Sequence, residues 1–178
     1  IGLPKALEQA EPSFFHIGKE EIPHWEQNGA RYQLIAGELK DIKSPVPVHS
    51  PLYFLEIKTT TSQKINIGEQ LYGEVGMYVL EGKVNVEGNT YESKQLLVAK
   101  NASLCEFETM GATTLYLFGG EAFDEERFMF WNFVNSDRSI IEKAKENWKQ
   151  QNLNAFPKIP GDDQDYVPLP EPKKFKSK

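Results

Sequence analysis

Three histidines, one cysteine and three adjacent carboxylate pairs are the side chains of this 178-residue chain with the most chemistry to offer. His16 lies in FFHIG, His24 in IPHWE and His49 in VPVHSP. A local pair of imidazoles that shares one ion needs H-x-H or H-x3-H spacing, and the separations here are 8 and 25 residues. The expectation is three solvated or singly hydrogen-bonded loop histidines, with His49, just ahead of a strand, the best placed for a site assembled in space. Cys105 has no partner for an internal disulfide. Its neighbour Glu106 opposes a thiolate, so it reads as a small buried hydrophobe. Glu20-Glu21, Glu125-Glu126 and Asp162-Asp163 are adjacent residues, which point to opposite sides of an extended chain and form no acid/base dyad. No P-loop and no G-x-S-x-G elbow occurs. No catalytic, cofactor-binding or metal-binding residue is assigned.

The elements that would carry a site are mostly strands. Hydrophobic content of 39% and charged content of 26% allow an ordinary core. A net charge of −6 argues against direct binding to nucleic acid or to an anionic membrane surface. No apolar run reaches the roughly 18 residues of a membrane span, and no signal peptide is visible, so the cytoplasm is the expected location. From about Tyr32 to Phe118 the apolar residues recur with period two. Tyr53, Leu55 and Ile57 share one side of a strand, as do Ile65 and Ile67, Val84 and Val86, and Leu115 and Leu117, with Tyr116 and Phe118 opposite. Gly88-Asn89 reads as a two-residue hairpin turn. Ile141, Ala144 and Trp148 then mark one face of a helix over about 137–151, capped by Ser136 or Asp137. The run FMFWNFV, Phe128 to Val134, is expected to be core where strand hands over to helix. Five prolines after residue 153 predict an extended tail, with a basic KKFKSK end.

The stretch GEVGMYVLEGKVNVEGNTYES, Gly73 to Ser93, resembles part of a cupin barrel. Metal-binding cupins use Gly, five residues, His-x-His, three or four residues, Glu, six residues, Gly. Counting from Gly68 to Gly88 fits that spacing, with Glu81 as the carboxylate and Glu74 and Gly76 at the two histidine positions. Counting back from Gly82 puts Val75 at the carboxylate position. Neither register supplies an imidazole, and no histidine follows His49. The stretch reads as a fold signature with its metal site erased.

Seven segments together resemble the pirin family, and specifically its C-terminal half. They are LPKALEQAEPSFFHI (3–17), RYQLIAGEL (31–39), SPVPVHSPLYFLEI (44–57), MYVLEGKVNV (77–86), LYLFGGEAF (115–123), FWNFVNSDRSIIEKAKENW (130–148) and IPGDDQDYVPLPE (159–171). The resemblance implies an all-β, cupin-type double-stranded β-helix, or jelly-roll barrel, with one C-terminal helix and an extended Pro-rich tail. It implies a linker over 1–13, a metal-free cupin-like barrel over 14–134, a helix over 135–152 and a tail over 153–178. It also implies a preceding N-terminal cupin domain that holds iron, or another transition metal, through three histidines and a glutamate. That domain would account for a chain beginning at Ile1 rather than methionine. Two functions are implied for the whole protein. One is a quercetin 2,3-dioxygenase-like oxygenase that opens a flavonol with dioxygen; the other is an iron-dependent redox sensor that binds a transcription factor or a metabolic enzyme. The chain alone is then expected to be architectural, with its tail packed on the N-terminal half through Tyr166, Val167 and Leu169 and with an apolar patch exposed where that half sits. A third expectation, independent of the resemblance, is a small-molecule binder that uses the barrel interior.

Overall fold

Alternating sequence becomes paired strands over most of the chain. The structure, a computed structural model, describes residues 2–102, 105–161 and 166–171. Its strands are β1 (His24–Gln27), β2 (Ala30–Leu39), β3 (Ile42–Lys43), β4 (Leu52–Thr59), β5 (Gln63–Asn66), β6 (Glu74–Glu81), β7 (Lys83–Val86), β8 (Asn89–Glu92), β9 (Leu96–Ala99), β10 (Glu106–Thr109), β11 (Thr113–Gly120), β12 (Phe128–Phe130) and β13 (Phe133–Asn135). One helix, α1 (Arg138–Lys149), follows. Two compact units result: Glu11–Ala122, and a second that joins the residues up to Ala10 to those from Phe123 onward.

The first unit is a sandwich of two antiparallel sheets. The larger runs β1-β2-β4-β11-β6-β9 with β3 beside β2, and the smaller runs β5-β10-β7-β8. Among the described residues no strand of one sheet pairs with a strand of the other. The jelly roll is therefore an open, cupin-like sandwich rather than a closed barrel. Period-two alternation sends Leu55, Ile57, Leu115, Leu117, Met77 and Val79 of the larger sheet against Ile65, Val84 and Phe107 of the smaller. Burying each such side chain contributes about 1.5–3 kcal/mol. The polar members of this interior are satisfied: Thr59 Oγ1 and Thr109 Oγ1 lie 3.1 Å apart, and the Thr109 hydroxyl also accepts from the Gln63 N–H at 3.0 Å.

The hairpin β7–β8 turns one residue earlier than its composition suggests. Glu87 (φ 50°) and Gly88 (φ 82°) occupy the turn, so Asn89 is the first residue of β8. The register explains the difference. It sets Lys83 opposite Glu92, with Nζ and Oε1 2.6 Å apart, and Val84 opposite Tyr91. A turn at Gly88-Asn89 shifts the pairing by two and sets Lys83 opposite Lys94, a like-charge pair. Asn85 secures the observed turn by accepting the Gly88 N–H at 3.1 Å.

The second unit is built on a hairpin and a helix. The β12–β13 hairpin carries Phe128, Phe130 and Phe133, and α1 begins behind Asp137, whose Oδ1 accepts the Ser139 N–H at 2.7 Å. Ile141 is buried and Ala144 and Trp148 are half-buried, as the helical spacing predicts. Trp131, Phe133, Trp148 and Phe156 form a cluster of rings with centroids 5.2–6.4 Å apart. The aromatic run is therefore not core: none of its residues from Phe128 to Val134 is buried and Met129 and Trp131 are exposed, while its rings pack the hairpin against α1. Tyr166 lies against Trp148 at 5.6 Å, and the Trp148 indole N–H donates to the Val167 carbonyl at 2.8 Å, so these tail residues dock on the chain's own helix. Glu8 completes the unit. Its carboxylate accepts the Ser136 N–H at 2.7 Å and the Ser136 hydroxyl at 2.8 Å, and pairs with Arg127 at 3.3 Å; both charged side chains are about a tenth exposed (8% and 12%). Arg127 also donates to the Leu3 carbonyl at 3.0 Å.

Leu117 is fully enclosed between the sheets. Leu117→Ala is expected to lower unfolding free energy in urea by about 2–5 kcal/mol; a loss well under 1 kcal/mol would mean that this interior is loosely packed.

Candidate functional site

Strand β6 is where a cupin would place its metal ligands, and its two faces are sharply different. Val75, Met77 and Val79 are buried on the inner face. Glu74, Gly76 and Tyr78 alternate with them and face outward. The spacing that runs from Gly68 to Gly88 therefore puts its two histidine positions, Glu74 and Gly76, on the outer face of the sheet. The Phe118 ring lies directly over Gly76, where a Cβ would meet Cε2 at 2.6 Å. Glu81 is exposed at the strand's end. The alternative spacing puts Val75 inward, with no donor atom. Aliphatic side chains cannot hold a cation, so the inner face of β6 does not fit a metal in either register.

The histidines do not supply what β6 lacks. His16, His24 and His49 are all exposed, and the His24 Nδ1 lies 3.3 Å from the Ile22 carbonyl oxygen. His49 precedes β4 by three residues without reaching the interior. Among the described residues no group of three or more His, Cys, Asp or Glu side chains could hold a metal ion. The carboxylate pairs also stay apart from the core. Glu21 accepts the Gly18 N–H at 2.8 Å, and Glu125 pairs with Arg127 at 3.3 Å. Asp162-Asp163 and the KKFKSK end lie outside the described residues. Among the described residues no helix is long and apolar enough to cross a membrane.

A cavity of about 550 Å³ lies between β6–β9 and β7–β8. Val75, Met77 and Val86 make its floor, Ala99 lies opposite Val75 in the β6–β9 register, and Cys105 stands at its side. Burial pushes the Cys105 thiol up from 9.0 to about 11. It is a neutral, weakly polar group at ordinary pH, not a nucleophile. Tyr53, deeper in the interior, is raised as well, by burial first and then by Cys105 and Tyr72. The sequence reading took Cys105 as a small hydrophobe and allowed a small-molecule site in the barrel interior, but did not place that site beside Cys105. The signal available was a small residue, Ala99, at an inward position beside larger ones.

A sandwich of this topology, with an apolar interior, defines a cupin-like domain. Its match to solved structures agrees. A quercetin 2,3-dioxygenase from Acinetobacter baumannii superposes with a TM-score of 0.80 at 26% identity, over 99% of this chain and 58% of that one. The chain belongs to the pirin family: residues 54–154 match the family model described as the pirin C-terminal cupin domain. It is 35% identical over 173 residues to a pirin-like protein of Caulobacter vibrioides, covering 96% of this chain and 58% of that protein. It is also 29% identical to Pirin-1 of Arabidopsis thaliana over 88% of this chain and 56% of that one. The chain thus spans a little over half the length of these relatives.

The raised thiol makes a pH prediction. Below pH 9.0 folded and unfolded chains both hold the Cys105 proton; between 9.0 and about 11 the unfolded chain loses it first, so the native state loses stability across that window. Iodoacetamide alkylation of the folded chain is expected to keep rising to about pH 11, and Cys105→Ala is expected to remove part of the alkaline fall in stability. Alkylation that levels off near 9.0 would mean the thiol is not buried.

Proposed function

We propose that this chain is the metal-lacking C-terminal half of a two-cupin, pirin-like protein. The whole protein would be a quercetin 2,3-dioxygenase-like oxygenase whose iron is held in an N-terminal cupin domain. The observation that carries this reading is the inner face of β6. Val75, Met77 and Val79 fill with hydrocarbon the place where a cupin would present metal ligands, in a chain that matches the C-terminal domain of the family. Support for an oxygenase comes from the likeness to the Acinetobacter quercetin 2,3-dioxygenase.

The role that follows for this chain is architectural. Its interior is packed for stability, and its outer sheet face is apolar enough to pack on another domain. Phe54, Tyr116 and Phe118 make a cluster there, with Phe54 5.5 Å from Tyr116 and 6.1 Å from Phe118. Leu96 and Val98 continue it at the β9 edge and are 55% and 70% exposed. A surface of this kind suits a permanent protein neighbour better than water. The N-terminal cupin domain is that neighbour in this reading.

Elemental analysis and quercetin turnover test the division of labour. The 178-residue chain is expected to carry no stoichiometric transition metal and to leave quercetin unchanged, while the full-length protein binds iron and consumes quercetin and dioxygen together. Stoichiometric metal in the short chain would overturn the assignment and direct attention back to His49, Glu74 and Glu81. Iron in the full-length protein without turnover would favour the redox-sensing regulator that binds a protein partner.

A further inference from the structure

The cavity beside Cys105 is not needed by an architectural domain, and its shape suits a ligand. Its volume of about 550 Å³ falls within the roughly 300–1,000 Å³ typical of small-molecule sites. Most of its wall faces inward between the sheets, and at the β9 edge it reaches Leu96 and Val98, which border the outer patch. Val75 and Met77 belong to the buried core, and Leu97 packs against that core. The cavity is therefore a half-open groove that continues the hydrophobic interior out to the β9 edge.

The chemistry of its wall narrows what fits. Val75, Met77, Val86, Leu97 and Ala99 offer hydrocarbon and one thioether, and the polar atoms beside them are few: the Tyr91 hydroxyl, the Cys105 thiol and, at the border, Asn101. The charged residues that border it, Glu87, Lys100 and Glu106, are exposed and of both signs. Glu106 is engaged outside the cavity by Lys64 at 2.7 Å. No cluster of one sign is left to select an ion, and a charged group pushed among the aliphatic side chains would lose its hydration without a partner. We propose that this cavity is a binding site for an uncharged, predominantly apolar small molecule, seated between β6–β9 and β7–β8 against the Cys105 thiol. The site stands whether or not the whole protein is an oxygenase, because it uses no metal and no residue of another domain.

Two naphthylamine dyes of similar size separate the outcomes. N-phenyl-1-naphthylamine is neutral, and its 8-sulfonate analogue is anionic. The neutral dye is expected to bind the 178-residue chain with a single saturable fluorescence rise and at least about tenfold more tightly than the sulfonate, a difference of about 1.4 kcal/mol. Because Cys105 is the chain's only cysteine, its alkylation by N-ethylmaleimide reports the site directly and is expected to slow several-fold in the dye-saturated chain. Ala99→Phe, which fills the cavity, should abolish dye binding, and Phe118→Ser, on the outer face, should leave it intact. Unchanged alkylation in the presence of the neutral dye would overturn the proposal. So would absence of saturable binding, binding lost in Phe118→Ser but kept in Ala99→Phe, or tighter binding of the sulfonate. If Ala99→Phe does not fold, the alkylation result on the unmodified chain decides alone.

Discussion

Strand β11 holds the larger sheet together. All eight of its residues, Thr113 to Gly120, pair with β4 on one side, and all but the first pair with β6 on the other. Its inward Leu115 and Leu117 meet Ile57 and Leu55 across one ladder and Val79 and Met77 across the other. A row of aliphatic side chains thus runs across three strands at one depth. A one-residue slip of β11 would turn Tyr116 and Phe118 into the core and Leu115 and Leu117 out of it. The register of the central strand, the position of the core and the aromatic character of the outer face are consequently one fact. The same constraint bears on the positions of the cupin motif. The alternation that carries Met77 and Val79 inward carries Glu74 and Gly76 outward, so restoring histidines at those two positions would place imidazoles on the wrong side of the sheet.

Most of this arrangement was legible in the sequence because period-two patterning is local. Tyr53, Leu55 and Ile57, and Leu115 and Leu117, needed no partner to be assigned a common side. Where structure depends on a partner strand, the sequence was less informative. Gly88-Asn89 is a good turn by composition, yet the turn is Glu87-Gly88, because opposing Lys83 with Glu92 rather than Lys94 fixes the register of β7 on β8. Turn propensity was a weaker term than a cross-strand charge pair and the valine–tyrosine packing beside it.

The candidate site was the least legible part. A cavity is an absence, produced by several side chains that each look ordinary. Ala99 in QLLVAK gives no hint that it faces Val75 across a ladder and leaves space there. The histidines, by contrast, were read correctly as solvated, since their spacing offered no shared geometry. Cys105 is instructive in both respects. Its burial was readable from its residue type, but burial and not the acidic neighbour raises the thiol, and the residues that bury it come from other strands.

The Glu8 clasp has a consequence for how the chain is made. Glu8 and Ser136 lie 128 residues apart, so the carboxylate that receives the Ser136 amide is synthesised well before its partner. The sandwich can be completed once Gly120 has emerged, but the unit that contains Glu8 must wait until Arg127, Ser136 and α1 have been synthesised. Throughout that interval a carboxylate destined for near-complete burial stays hydrated. Closing so long a loop is a late, high-contact-order event. The two units are therefore expected to mature in sequence, the β-sandwich first and the clasped hairpin and helix afterwards.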